Sequence, residues 1–328
     1  NESDEKWKDK VNSLSQAFYF SLNTHQQEAP RFEIELYKEV KKVVDIKPFI
    51  TEMWMEHYEE AEQLFLNGVA DLLQSELMQY AIFLSIKGAW LNDQLFYLRE
   101  RWSEEDLSRL LLEDPLYRPN IAYEKYNTSE NLVNHLSHLS FFQQKTEMKW
   151  NALESILEFG GGYGGFCRLC RRINPSATHV IVDLPIFSFI QSAYLKSLFG
   201  EEQVNLIYGP SQEIESGKIN LVVMDEKVLS VLCKHHYDIF VATWSLSETN
   251  FNCQDFFRSR DYFNSKFLFF GYRHYEGQKN PRQAFSDAIQ ETHSYSRVYR
   301  GRTFFSSLNH YFICERKQTS QVHLTRAV

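Results

Sequence analysis

The 328-residue chain is poor in cysteine, glycine and proline, with five, 13 and eight of each. Five cysteines in a chain this long cannot form a disulfide framework, and the odd count fits reduced thiols in a cytoplasmic protein. Scarce glycine and proline, beside 43% hydrophobic residues, exclude a low-complexity or disordered chain. No run reaches the ~18 apolar residues that a membrane-spanning helix needs. The charged start NESDEKWKDK lacks the apolar core of a signal peptide. Clustered Lys and Arg are also missing, so no nucleic-acid partner is expected.

What is present is uneven. Residues 1–150 carry 26 acidic and 16 basic side chains, and residues 151–328 carry 17 and 19. The acidic excess of the first part reads as solvated helix faces. Aromatic residues make up 15% of the chain, but rings fill cores more often than they bind ligands, so this alone assigns nothing.

Up to residue 150 the apolar spacing is helical. Stretches 59–86 and 91–114 place apolar residues three and four apart, with Ser103-Glu-Glu-Asp as a helix start. A last helix over about 129–147 carries His135 and His138. After Trp150, short β-type runs at 155–159, 179–184, 204–208, 219–224, 237–243 and 266–272 alternate with amphipathic stretches at 165–173, 186–199, 226–235 and 281–291. That alternation predicts a parallel sheet covered on both faces. Runs 294–301 and 310–316 lie close enough to form an antiparallel hairpin. The expected division is a helical N-terminal domain, residues 1–150, for substrate capping or oligomerisation, and an α/β domain, residues 151–328.

One passage carries chemistry. In Ile156-Leu-Glu158-Phe-Gly160-Gly161-Gly162-Tyr-Gly164-Gly165, a strand ends in an acid, five glycines fall within six positions, and a helix follows. Such a loop lets backbone approach a ligand at the helix N-terminus. A second strand then ends at Asp183, placed to accept hydrogen bonds from ribose hydroxyls. Gly160, Gly162 and Gly165 also satisfy the dinucleotide fingerprint, so an NAD-dependent oxidoreductase is the alternative, with a non-catalytic cofactor-binding relative as a third reading. Glu158 two residues before the first glycine and the terminal hairpin resemble the first motif and the sheet of class I methyltransferases, and with the helical N-terminal half that resemblance favours S-adenosyl-L-methionine over NAD.

LEFGGGYGGF, VIVDLPIFSFIQSAYLKSLFG and YDIFVATWSLSET resemble the sugar O-methyltransferase family of bacterial surface-polysaccharide gene clusters. The resemblance covers roughly 155–275. It implies a Rossmann-like, seven-stranded class I methyltransferase sheet and S-adenosyl-L-methionine as cofactor, leaving S-adenosyl-L-homocysteine. It further implies methyl transfer to a hydroxyl of a nucleotide-linked or polysaccharide sugar. By that resemblance Gly160, Gly162 and Gly164 line the methionine and ribose, Asp183 takes the ribose hydroxyls, and Glu248 matches the glutamate of the last segment. Glu158, Gly161, Leu184, Thr243 and Asp225 (toward the adenine amino group) complete the expected cofactor set. The family pattern breaks where Ala242 or Thr243 stands near the usual Asn and where Thr249 replaces Met.

The acceptor is expected above the carboxyl ends of the strands, in the loop after 237–243. There Trp244 and Ser245 are the substrate candidates and Glu248 the proton acceptor; His274 and His138 are the rival catalytic residues. A divalent cation on Glu248 with Asp225 or Glu226 is compatible but not demanded, so no metal site is assigned. Cys167-x-x-Cys170 has no second pair and reads as core thiols, and His235-His236 reads as a surface turn. The expected partner is a small-molecule or glycan substrate, with room for a homo-oligomer.

Overall fold

The computed structural model of the chain describes residues 29–69, 71–81, 90–273, 285, 294–303 and 306–317. Helices α1 (Ala29–Val43), α2 (Glu52–Asn67), α3 (Glu76–Ala81), α4 (Leu91–Arg99), α5 (Glu104–Leu110) and α6 (Glu130–Thr146) precede the sheet. The alternating part then runs β1 (Ser155–Phe159), α7 (Gly165–Ile173), β2 (Thr178–Asp183), α8 (Pro185–Phe199), β3 (Val204–Ile207), β4 (Ile219–Val223) and β5 (Ile239–Thr243). It continues with α9 (Phe251–Ser259), β6 (Phe267–Arg273), β7 (Tyr295–Thr303) and β8 (Ser306–Arg316).

Local chemistry sets the helix starts. Thr51, Ser103, Ser129 and Asn250 each accept a backbone N–H of the first turn through a side-chain oxygen. Pro185 opens α8, where its missing N–H costs nothing. Two expected helical stretches are corrected. The 59–86 stretch divides into α2 and α3 around a 3-10 turn at Leu72–Gln74, whereas in 91–114 a helix starts after Ser103 as expected. Segment 226–235 is a 3-10 turn over Val228–Lys234 rather than an α-helix. Of 281–291 only residue 285 lies within the described residues.

The sheet has the order β3-β4-β2-β1-β5-β6-β8-β7. Strands β1 to β6 pair in parallel, and β8 pairs antiparallel with both β6 and β7. The fold is α/β and Rossmann-like. Eight strands replace the expected seven because Val204–Ile207 adds a parallel edge to β4. Without that edge, seven strands remain and end in an antiparallel pair, as the resemblance implies.

Strand alternation divides the core in two. Leu157, Phe240, Ala242, Leu268 and Phe270 face one apolar layer, which also holds Tyr37, Phe65, Leu77 and, from α8, Phe189. Ile156, Ile239, Val241, Phe267 and Phe269 face the other, with Leu95, Leu107, Leu136 and Phe142. Side chains of period two thus send neighbours to opposite faces. The helices of the first 150 residues supply both layers and share their cores with the sheet. Among the described residues, no helix is long and apolar enough to cross a membrane.

One buried ion cluster ties these helices to α7. The Arg168 guanidinium is 1% exposed, and its Nη1 lies 2.6 Å from Glu113 and 3.0 Å from Asp114. Arg172 meets the same Asp114 at 2.8 Å. Removing one partner strands a buried charge, so Arg168→Met should lower unfolding stability by about 3–5 kcal/mol in a urea titration. Adding Glu113→Gln should recover part of that loss. A loss below about 1 kcal/mol would show that the cluster contributes little.

Candidate active site

In an open parallel sheet the ligand crevice lies where strand order reverses, outside the carboxyl ends. Here β1 has β2 on one side and β5 on the other, and the ends of these three strands line one cleft. Glu158, Gly160, Gly161, Gly162, Asp183, Leu184, Thr243, Trp244, Ser245, Glu248 and His138 all line it. The structure therefore brings together most of the residues expected from the sequence.

The glycine turn is shaped by close approach. Gly160 and Gly162 have φ of 74° and 59°, a region that side chains disfavour. A Cβ on Gly160 would lie 2.3 Å from the Cβ of Ser245, so the loop after β5 packs directly on the turn. The Ser245 hydroxyl donates to the Phe159 carbonyl and fixes that contact. Gly164 does not line the cleft; it precedes α7 with φ 99°, facing Leu195.

Asp183 is buried at the end of β2. Its Oδ1 accepts the Leu184 N–H at 2.8 Å and its Oδ2 accepts Gln191 Nε2 at 2.7 Å. The same Gln191 amide donates to the Gly162 carbonyl at 3.0 Å, so one side chain clamps the turn to the acid. Burial pushes the Asp183 carboxyl up to about 7, against the lowering effect of its donors. Glu158 lies on the neighbouring strand, 2.7 Å from Nε2 of buried His179. A carboxylate only accepts, so that nitrogen carries the proton.

The opposite wall is aromatic and polar. Trp244 takes φ 64°, its N–H donates to Gly271 O at 2.6 Å, and a Cβ on Gly271 would lie 3.2 Å from the indole. Beside it in the cleft lining stands His138, with ring centroids 5.1 Å apart, and the His138 Nδ1 bonds the Tyr311 hydroxyl. Asn131, Asn134 and His135 extend this wall. Burial holds His135 down to about 3 and His138 well below its ordinary value, so both imidazoles are neutral near pH 7.

Besides Gly164, one expected residue is placed elsewhere. Asp225 accepts the N–H groups of Lys227 (2.9 Å) and Val228 (3.3 Å) through Oδ1, and that of Asp45 (3.0 Å) through Oδ2. It holds a turn and the segment after α1, while its neighbour Met224 lines the cleft. His274 lies outside the described residues. Cys167 and Cys170 are buried, with thiols pushed well up by burial. Among the described residues, no group of three His, Cys, Asp or Glu is placed to hold a metal ion.

Sequence reading missed the roof and the clamp. Phe49, Ile50, Thr51 and Trp54 line the cleft from the N-terminal half, and Asn250 Nδ2 donates to the Ile50 carbonyl at 3.1 Å to hold them there. Long-range contacts of this kind leave no local pattern. Gln191 was findable in principle: it lies eight residues after Asp183, two helical turns along.

No family model matches the chain, and no curated protein matches its sequence. Among solved structures it is similar to a magnesium protoporphyrin IX methyltransferase from Synechocystis with bound S-adenosylmethionine (10% identity, 70% of this chain, 100% of that chain, TM-score 0.40). It is also similar to a 16S rRNA methylase (13% identity, 70% and 99% covered, TM-score 0.36). Human N-acetylserotonin methyltransferase, in complex with S-adenosylmethionine, is a third (11% identity, 56% and 57% covered, TM-score 0.34). At these identities and scores the likenesses carry no argument about what this chain does.

The raised Asp183 carboxyl has a stability consequence. The native state holds this proton more tightly than the unfolded chain between about pH 4 and pH 7, so the group's contribution falls as pH rises through that window. Asp183→Asn should flatten the fall. Variant and parent should match near pH 4, and the variant should be the more stable at pH 8, by a few kcal/mol at most. Chemical denaturation across this range checks it; parallel pH profiles would show that Asp183 does not titrate there.

Proposed function

We propose that the chain is an S-adenosylmethionine-dependent O-methyltransferase whose acceptor is a hydroxyl of a sugar, nucleotide-linked or part of a surface polysaccharide. The observation that carries the cofactor is the charge of the cleft. Glu158, Asp183 and Glu248 line it, and among the described lining residues there is no Lys or Arg. A cationic ligand with ribose hydroxyls suits that lining, whereas the two phosphates of NAD would meet carboxylates with no counter-charge. The left-handed Gly160 and Gly162 and the clamped Asp183 supply backbone approach and a ribose acceptor.

When bound, S-adenosylmethionine supplies an electrophilic methyl on a sulfonium. The chain's own residues do the rest. Asp183, held by Leu184 and Gln191, accepts the ribose hydroxyls. Trp244 offers a flat face, preset by its backbone and by Gly271, on which a sugar ring stacks. Glu248, four residues on, takes the proton of the acceptor hydroxyl, with His274 and His138 as its rivals. The roof of Phe49 to Trp54 excludes water. A boundary near residue 150 then divides roles: the first part supplies the roof and the α6 side of the acceptor wall, the second the cofactor cradle together with Trp244 and Glu248. All five cysteines are free, in keeping with a cytoplasmic setting.

The experiment is transfer of labelled methyl to a panel of nucleotide sugars and polysaccharide acceptors, with RNA as control. Labelling of RNA and not of sugars would reject the acceptor class. Within that assay Glu248→Gln should leave S-adenosylhomocysteine affinity intact in calorimetry and slow turnover at least ~100-fold. Retained turnover would move the proton acceptor elsewhere.

A further inference from the structure

The acceptor wall contains a pair that the proposed reaction has not used. His138 on α6 and Tyr311 on β8 are 1% and 0% exposed, and their hydrogen bond joins the imidazole Nδ1 to the phenol oxygen. A neutral imidazole carries one ring proton, so two arrangements exist. Either Nδ1–H donates to Tyr311 and Nε2 is bare, or the Tyr311 hydroxyl donates to Nδ1 and Nε2 carries the proton.

The surroundings decide between them. Among the described residues, Nδ1 of His138 is the one hydrogen-bond partner of the Tyr311 hydroxyl. If that hydroxyl only accepted, its own proton would find no acceptor among the described residues, at a cost of about 1–3 kcal/mol. In the other arrangement both groups are satisfied, and the remaining N–H is the one left to the cleft. The rings packed on His138 are Trp244, Phe269, Tyr311 and His135; none brings a carboxylate to Nδ1. A carboxylate there would draw the proton to Nδ1 and turn Nε2 into a base. Tyr311 does the reverse.

We infer that Tyr311 fixes His138 in the Nε2–H tautomer, so that His138 donates a hydrogen bond to the acceptor oxygen and is not the base that deprotonates it. The role in methyl transfer rests on the function proposed above; the tautomer does not. A hydroxyl oxygen held this way uses one lone pair on Nε2–H, keeps the other for attack, and leaves its proton to a carboxylate such as Glu248. Tyr311 acts through His138 and is a positioning residue.

Long-range 1H–15N spectra of the histidine-labelled, full-length protein test the tautomer directly. The His138 signals are assigned by their loss in His138→Gln, or in His138→Ala if the first does not fold. The expected spectrum at pH 7 shows a protonated Nε2 and a bare Nδ1. A protonated Nδ1 with a bare Nε2 overturns the inference, whether or not the chain methylates anything. In Tyr311→Phe the single tautomer should give way to a mixture; an unchanged spectrum would remove Tyr311 from the account. In the methyl-transfer assay, His138→Gln retains an N–H near Nε2 and should keep kcat within about tenfold while raising the acceptor KM. His138→Ala should lose more than the glutamine variant does. Equal kcat losses of ~100-fold or more in both would mark His138 as a base and overturn the inference.

Discussion

Everything at the cleft depends on one amide. Gln191 Nε2 reaches the Gly162 carbonyl at 3.0 Å and the Asp183 carboxylate at 2.7 Å. The first contact holds a left-handed glycine turn in place, and the second holds a buried acid at the end of the neighbouring strand. Without that donor the carboxyl, already pushed up to about 7 by burial, would lose an interaction that stabilises its charged form. The turn in turn accepts the loop after β5, because only a glycine at 160 leaves room for Ser245. Clamp, turn and the loop after β5 therefore stand or fall together.

The helices of the first part are integral to this arrangement. They complete both apolar layers of the sheet, and they reach the cleft twice: residues 49–54 form the roof, and α6 brings Asn131, Asn134, His135 and His138 to the acceptor wall. The Arg168 cluster joins the same part of the chain to α7, the helix that begins at the glycine turn. Displacement of α6 would move the acceptor wall relative to the cradle.

The strands were legible to within a few residues, since β1, β2, β4, β5 and β6 are buried along nearly their whole length and read as short apolar runs. Gly160, Gly162 and Asp183 were legible because a strand, turn, helix and strand at fixed spacing is a local signal. Asp225 was misleading: an acid at a strand end looks like a ligand contact, but it is held by Lys227, Val228 and Asp45. The roof and Tyr311 were illegible, because their roles arise from contacts between segments far apart in sequence, whereas Gln191 left a trace in its helical spacing from Asp183. The break between α2 and α3 escaped the periodicity because apolar spacing continues across it, whereas Ser103 marked the start of α5.

The central claim is that this cleft holds an S-adenosyl ligand and not a dinucleotide. Thermal unfolding of the wild-type protein with increasing S-adenosylhomocysteine, and separately NADH, tests it most directly. A ligand bound only by the native state stabilises by about 2.7 kcal/mol at a hundredfold excess over Kd. The account predicts a saturable rise in Tm with S-adenosylhomocysteine and none with NADH. A rise with NADH and none with S-adenosylhomocysteine would contradict it.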